Sequence, residues 1–323
     1  MSCERLYLAP MEGVCDPPMR KVLCAVGGYD ECFSEFIRVS DVVLPYKTLW
    51  REVPELREGG KTPDGTPVRV QLLGDRPGLM ARTAKRAEEI GAKAIDINFG
   101  CPSRFVHHAG SMLLKEPSLM HEIVARVRDI LEPETLLSVK VRLGFESKHE
   151  APDIVQAIAV PGVNEIIVHA RTRKELYREE CLDWSALAPL HEFAGEAVLV
   201  ANGEIVSLDS ALECMRLSGC RRLMIGRGAL MVPNAGHVVK DGAEPLSNSE
   251  LLQVALSFMD ELEARHFPEK SVMDRLKQFL GFARRHNPEL TQFFKRVCKI
   301  GSASQARELL DVTIERGFPL TVE

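Results

Sequence analysis

Residues 138–142 read "SVKVR", and the alternation in those five letters sets the reading of the whole chain. Successive side chains of a β-strand point to opposite faces, so Val139 and Val141 share one face and Ser138, Lys140 and Arg142 the other. The same rule applied to "VRVQL" (68–72) turns Arg69 and Gln71 to one side, and in "AIDIN" (94–98) it sets Asp96 and Asn98 opposite Ile95 and Ile97. β-Rich runs of this kind recur at 6–9, 31–36, 68–72, 94–98, 137–141, 165–168, 197–201 and 222–225, with amphipathic stretches such as 78–90 and 118–130 between them. Eight such runs alternating with helices predict a (β/α)8 TIM barrel, its branched apolar residues against the helix layer and its polar ones toward the axis. The segment between the second and third runs carries Pro54, Gly59, Gly60, Pro63 and Gly65 and reads as an excursion over the barrel mouth.

Beyond residue 240 the alternation stops. Residues 241–248 read as a linker. The helical period then covers 249–265, 271–286, 288–299 and 302–316, with start signals at Ser247/Asn248, Asn287-Pro288 and Ser302. The expected division is a barrel over 1–240 and a small C-terminal helical bundle over 249–323. Composition is that of an ordinary soluble globule, 45% hydrophobic and 27% charged. No apolar run approaches the roughly 18 residues of a spanning helix. The first five residues pass straight into a strand-like run, leaving no room for a signal peptide, so a cytoplasmic location is the expectation; a monomer is expected as well. Nine cysteines without a C-x-x-C pair argue against a disulfide framework and against zinc or iron–sulfur ligation, and no metal is expected. The net charge of -5 hides an asymmetry: residues 261–300 carry nine Lys/Arg against five Asp/Glu. Solvated helix faces give such a pattern without any partner, and it gains meaning only beside a matching active site.

The ends of the third to seventh runs bring Gln71, Asn98, Lys140, His169 and Asn202 to one mouth, where barrel enzymes place their sites. Each has an ordinary structural reading: Gln71 can satisfy a backbone group, Lys140 can pair with Asp96, His169 can be a bonded core histidine. Five together are harder to dismiss, because burying each unpaired costs about 1–3 kcal/mol. After the last two runs come Asn202-Gly203-Glu204 and Gly226-Arg227-Gly228, whose glycines let backbone N–H groups close on an anion. Beside Lys140 and His169 they favour a bound phosphate. The fourth run leads into "INFGCPSRFV" (97–106), where Gly100 and Pro102 stiffen a turn that carries Cys101. That thiol is either a small buried filler or a presented proton.

In order and spacing, "LAPMEGVCD" (8–16), "VQLLG" (70–74), "DINFGCPS" (96–103), "VKVRLG" (139–144), "VHARTR" (168–173), "ANGEI" (201–205) and "MIGRGAL" (224–230) resemble the tRNA-dihydrouridine synthases. The resemblance covers nearly the whole chain, with Cys15 where the family usually has threonine. "SEFIRV" (34–39), "LPYKTL" (44–49) and "RLKQFLGFARR" (275–285) are most similar to the bacterial C-type branch, which acts on U16 of the tRNA D-loop. The stretch after Cys101 is shorter and less glycine-rich than in that branch.

The resemblance implies FMN on the barrel mouth, NADPH as reductant, and reduction of a uracil C5=C6 bond. It implies Pro10, Met11 and Glu12 along the isoalloxazine edge and Gln71 and Lys140 on its polar rim. His169, Asn202, Gly203, Glu204, Gly226 and Arg227 would hold the phosphate. Asn98 would contact the uracil, with Arg38 and Tyr177 as further substrate contacts and Cys101 as the acid that protonates C5. A thiol with a pKa near 8.5 stays mostly protonated at neutral pH and can still donate. A uridine stacked in tRNA must be extruded to reach such a mouth, and the rest of the tRNA is then held through phosphates and shape. The basic bundle is the candidate surface, through Arg275, Lys277, Gln278, Arg284, Arg285 and Arg296. Two other readings compete: an FMN barrel oxidoreductase acting on a free pyrimidine, and a non-catalytic tRNA-binding protein that keeps the fold. The basic bundle argues against the first and the intact Cys101 against the second.

Overall fold

The computed structural model describes residues 2–103 and 108–317. Nine parallel strands form the sheet: β1 (Arg5–Leu8), β2 (Glu31–Phe33), β3 (Ile37–Val39), β4 (Val68–Gly74), β5 (Ala94–Asn98), β6 (Leu136–Arg142), β7 (Glu165–His169), β8 (Val198–Asn202) and β9 (Arg222–Ile225). β1 pairs with β9, and β2 pairs with both β1 and β4, so the sheet closes on itself as an eight-position barrel. The sequence placed one continuous run at 31–36. The structure breaks it into β2, against the start of β4, and β3, against its end. Ser34 holds the break: its N–H donates to the Arg69 carbonyl and its hydroxyl accepts the N–H of Gln71 at 3.0 Å. The interruption turns Phe36 into the mouth, which unbroken alternation would not have indicated.

Around the barrel lie α1 (Pro17–Gly27), α2 (Tyr46–Glu52), α3 (Pro77–Glu89), α4 (Pro117–Ile130), α5 (Ala151–Ile158) and α6 (Leu208–Ser218). After β9 come α7 (Arg227–Met231) and α8 (Ala235–Asp241). Proline opens α1, α3 and α4, where the missing N–H costs nothing. Between β7 and β8 the helix position is filled by a 3-10 segment, Trp184–Glu192, which holds Pro189 within it. The Pro/Gly-rich stretch expected over the mouth lies elsewhere. Its 3-10 turn Pro54–Glu58 packs on α1, where fully buried Arg20 donates to both oxygens of Glu55 at 3.0 Å. Gly60 then sits beside the Gly91 carbonyl, at the N-terminal end of β5 and away from the strand tips.

Inside the barrel, buried Arg69 donates to Glu31 and to Glu165, and Tyr7, Phe33, Ile167, Val200 and Met224 form an apolar plug. This plug separates the charged lower end from the mouth, so polar groups above it face only one opening. The outward faces of the strands, Val139, Val141, Ile95 and Ile97 among them, are fully buried against the helices, as the alternation required.

The C-terminal helices are α9 (Asn248–Ala264), α10 (Glu269–His286), α11 (Leu290–Cys298) and α12 (Ala303–Arg316). Ser247 caps α9 in a reciprocal capping box with Glu250. α11 begins at Leu290, two residues later than the Asn287-Pro288 signal suggested, and Ser302 precedes α12 without a side-chain cap. α9 packs on α1 and α10 on α7, so the bundle leans on the barrel rather than hanging from a tether. No described helix is long and apolar enough to cross a membrane.

Candidate active site at the barrel mouth

A cavity of about 420 Å³ opens at the C-terminal ends of the strands. Its walls are assembled from the strand tips and the loops that follow them. Pro10, Met11 and Glu12 come from the loop after β1, Gln71 from β4, and Asn98 and Cys101 from the end of β5 and its loop. Lys140, His169 and Asn202 end or nearly end β6, β7 and β8, and Gly203, Glu204, Gly226, Arg227 and Tyr177 complete the lining. Every barrel residue singled out from the sequence reaches this one space, except Arg38, which lies exposed on β3.

The floor is a chain of buried amides. The Asp96 carboxylate accepts the Ser138 hydroxyl and, at 2.7 Å, the side-chain N–H of Gln71. Gln71 Oε1 accepts from Asn98 Nδ2 at 2.8 Å, and Asn98 Oδ1 accepts the backbone N–H groups of Gly100 and Cys101, each at 2.9 Å. The turn that carries the thiol is thus fixed by Asn98 as well as by its glycine and proline. Burial pushes the Cys101 thiol up from its ordinary value, with Glu12 adding to the effect against Lys140 and Arg142, so it is a protonated group at neutral pH. Ser111 also donates to the Cys101 carbonyl at 2.6 Å, tying the far end of the loop back. Residues 104–107 of that loop lie outside the described residues.

The opposite wall is cationic. Lys140 donates to Asn202 Oδ1 at 3.0 Å rather than pairing with Asp96; burial, with Arg142 next, lowers its pKa to about 8. His169 is driven well below the usual imidazole range by burial and by Arg142, Lys140, Arg171 and Arg227 around it, so it is neutral. Its Nδ1 is buried without a partner. Arg171, fully buried, donates through Nε to the Arg178 carbonyl at 2.7 Å and sits 3.5 Å from Glu204, but its Nη2 also lacks a partner. Arg227 pairs with the same Glu204. Unpartnered donors and excess positive charge in one buried corner are the signature of a site for an anion.

Sequence reasoning assigned no role to Arg142, Arg171, Phe36 or Phe282. Arg142 shares its strand face with Lys140, and Arg171 follows His169 by two residues, so alternation could have flagged both. Arg142 donates to the Gly100 carbonyl (2.8 Å) and to the Thr172 and Leu176 carbonyls (3.1 and 2.8 Å), and so joins the Cys101 loop to the Tyr177 loop. The Tyr177 ring stands edge-on to His169 and beneath the guanidinium of Arg227. Phe282, from α10, lines the cavity through tertiary packing that no local pattern encodes.

The six basic-surface candidates divide. Arg275 donates to the Gly13 and Val14 carbonyls at 2.6 and 2.8 Å and pairs with Asp16 at 2.8 Å; Gln278 donates to the Gly13 carbonyl at 3.1 Å. Both join α10 to the loop after β1. Lys277 donates to the Ile300 carbonyl at 3.0 Å, and Arg284 lies over the Phe294 ring. Arg285 and Arg296 are exposed.

A closed parallel barrel with a half-buried thiol on one side of its mouth and a cationic corner on the other has the polar site of a barrel enzyme, at the C-terminal ends of its strands. The particular family follows from comparison with known proteins: the dihydrouridine synthase family model matches residues 7–316, and the chain belongs to that family. It is 41% identical over 298 residues to a tRNA-dihydrouridine(16) synthase of Haemophilus ducreyi, covering 92% of this chain and 91% of the relative. It is 39% identical over 315 residues to the tRNA-dihydrouridine(16) synthase of Escherichia coli, covering 97% and 99%. Among solved structures, a DHODH from Eimeria tenella in complex with ferulenol superposes with a TM-score of 0.55 at 15% identity, over 82% of this chain and 86% of that one. That likeness concerns the fold alone.

Proposed function

We propose that this protein reduces the C5=C6 bond of U16 in the D-loop of tRNA, with FMN resident on the barrel mouth and NADPH as its reductant. The relatives named for that position support the choice of uridine. The residues present suit FMN: the unpartnered Nδ1 of His169 and the guanidinium of Arg227, both on the cavity wall, could take its phosphate, and Gln71 and Lys140 its polar ring edge. Pro10, Met11 and Glu12 would border the ring, and Asn202, Gly203, Glu204 and Gly226 would hold the phosphate-bearing tail. The chemistry supplied by bound FMN is hydride transfer to C6 of the uracil.

The chain's own residues do the rest. As charge grows toward C5 and O4, Cys101 gives its proton to C5; its raised pKa keeps that proton in place until the carbanion develops. Asn98 has one side-chain N–H left after bonding Gln71, which can meet a uracil carbonyl. Tyr177 and Arg38 flank the approach. The barrel, 1–240, acts as the catalytic domain, and 249–323 as the tRNA-binding one, with exposed Arg285 and Arg296 meeting phosphate directly and Lys277 and Arg284 at their side. Arg275 and Gln278 serve the same end indirectly, by holding α10 against the mouth.

The observation that carries this reading is the meeting, in one cavity, of the Cys101 thiol and a cationic wall that holds the unpartnered Nδ1 of His169. The test is a map of dihydrouridine in tRNA from a strain lacking this gene, with and without the gene restored. Loss and recovery at position 16 alone is the expected result. Reduction of free uracil or UMP at rates matching tRNA would instead favour the free-pyrimidine reading.

A further inference from the structure

We propose that Asp96 is a positioning residue that sets the hydrogen-bond polarity of the cavity floor, and through it both the seat of Cys101 and the preference for a ring edge bearing carbonyls. The inference deepens the reading above and rests on it. Asp96 is fully buried on β5, does not itself line the cavity, and has no part in the chemistry described. Its reach is through the amides.

A primary amide can be turned over with almost no change of shape, so Gln71 and Asn98 have no intrinsic orientation. An ionised carboxylate is an acceptor only. Asp96 therefore obliges Gln71 to point its NH2 group at it, which leaves Oε1 for Asn98. Asn98 must then turn its NH2 to Gln71, which frees Oδ1 to accept the two backbone N–H groups of Gly100 and Cys101. Reversing any one amide forces the next to reverse, and the last reversal would set an NH2 group against two N–H donors. The orientation of the thiol loop is thus determined three links away. Each amide has two N–H groups and one is engaged, which leaves one N–H of Gln71 for the flavin ring edge and one N–H of Asn98 for the uracil. The Asn98 N–H donates to a carbonyl on the edge of uracil and opposes the amino group of cytosine.

The hydroxyl of Ser138 sits on the other oxygen of Asp96 and can either donate or accept. It predicts an unusual pattern of mutants. In Asp96→Asn, the new NH2 can donate to Ser138 and keep the oxygen toward Gln71, so polarity survives; in Asp96→Leu no acceptor remains. Combining Asp96→Asn with Ser138→Ala removes the anchor and lets the new amide turn. The expected kcat on tRNA falls about threefold in Asp96→Asn and about twofold in Ser138→Ala. It falls about thirtyfold or more in the double variant and in Asp96→Leu, with KM for tRNA unchanged because the residue is remote from the RNA surface. Amide exchange of the 98–103 peptide in the flavin-free protein gives a readout independent of turnover: the Gly100 and Cys101 N–H groups exchange about tenfold faster in the double variant and in Asp96→Leu, and not in either single isosteric variant. If Asp96→Leu does not fold, the double variant still decides. Equal losses in Asp96→Asn and Asp96→Leu would mean that the charge matters and not the acceptor geometry, and would overturn the inference. So would simple multiplication of the two single effects, or unchanged exchange. Wild-type protein that leaves tRNA unmodified would instead defeat the proposed function itself.

Discussion

Arg275 separates two accounts of the basic bundle. Its side chain is 14% exposed, and Asp16, its partner, is 17% exposed. Three acceptors hold it: the Gly13 and Val14 carbonyls and the Asp16 carboxylate, which also caps α1 by accepting the Met19 N–H at 3.1 Å. Truncation to alanine removes the hydrogen bonds of a charged donor, each worth about 1.5–3 kcal/mol when well shielded. It also leaves Asp16, whose pKa burial already raises and Arg275 opposes, with its burial less compensated. Partial access of water discounts the sum, so a loss of about 3 kcal/mol is expected. In a chain of this size that corresponds to a fall in Tm of about 5 °C. Direct contact with tRNA accounts for little of it, so Kd measured on folded protein should rise less than about threefold. The assay pairs a thermal melt with tRNA binding at two salt concentrations, on Arg275→Ala and, for contrast, on Arg285→Ala. An unchanged Tm together with tRNA binding weakened tenfold or more in Arg275→Ala would refute the argument.

Other expectations follow from the same geometry. Cys101→Ala should keep its yellow flavin and its tRNA affinity while dihydrouridine formation falls at least about hundredfold; wild-type yield in single-turnover assays would dismiss the thiol as the acid. Charge reversal at Arg285 and Arg296 together should weaken tRNA binding and reduce the slope of log Kd against log salt by about two, without change in flavin content. Lys140, whose pKa is lowered to about 8, loses its charge as pH rises through that value, so kcat should decline above pH 8 in the wild type. In Lys140→Met a uniformly slow rate with no such limb is expected. The sign for stability is opposite: between the folded value and the higher unfolded one, the unfolded chain binds more protons, so Lys140 contributes rising stability from pH 8 toward 10.

Much of this protein can be read from local pattern because the relevant physics is local. A strand's two faces are fixed by covalent geometry, so "SVKVR", "VRVQL" and "AIDIN" specified which side chains meet the helices and which meet the axis, and therefore which polar tips converge at one mouth. The helical period likewise marked α3 and α4, and the capping residue Ser247 marked the start of α9. The residues that resisted are those whose situation depends on distant parts of the chain. Ser34 breaks the second strand because it meets Arg69 and Gln71 across the sheet, and Phe36 enters the cavity as a consequence. Charge composition marked Arg275 as one cation of a basic segment; only packing of α10 against the loop after β1 shows it held by Gly13, Val14 and Asp16. Lys140 bonds Asn202 and not Asp96, because Gln71 and Ser138 already occupy that carboxylate.

What the sequence by itself determined is the barrel, the set of groups at its mouth and the helical character of the tail, since each follows from periods of two and 3.6 residues along the chain. Only the tertiary structure decided how those groups bond to one another, which cations are free to meet a ligand and which are already held. Hydrogen-bond partners and burial come from chain segments brought together by closure of the barrel, and a one-dimensional pattern carries no record of them.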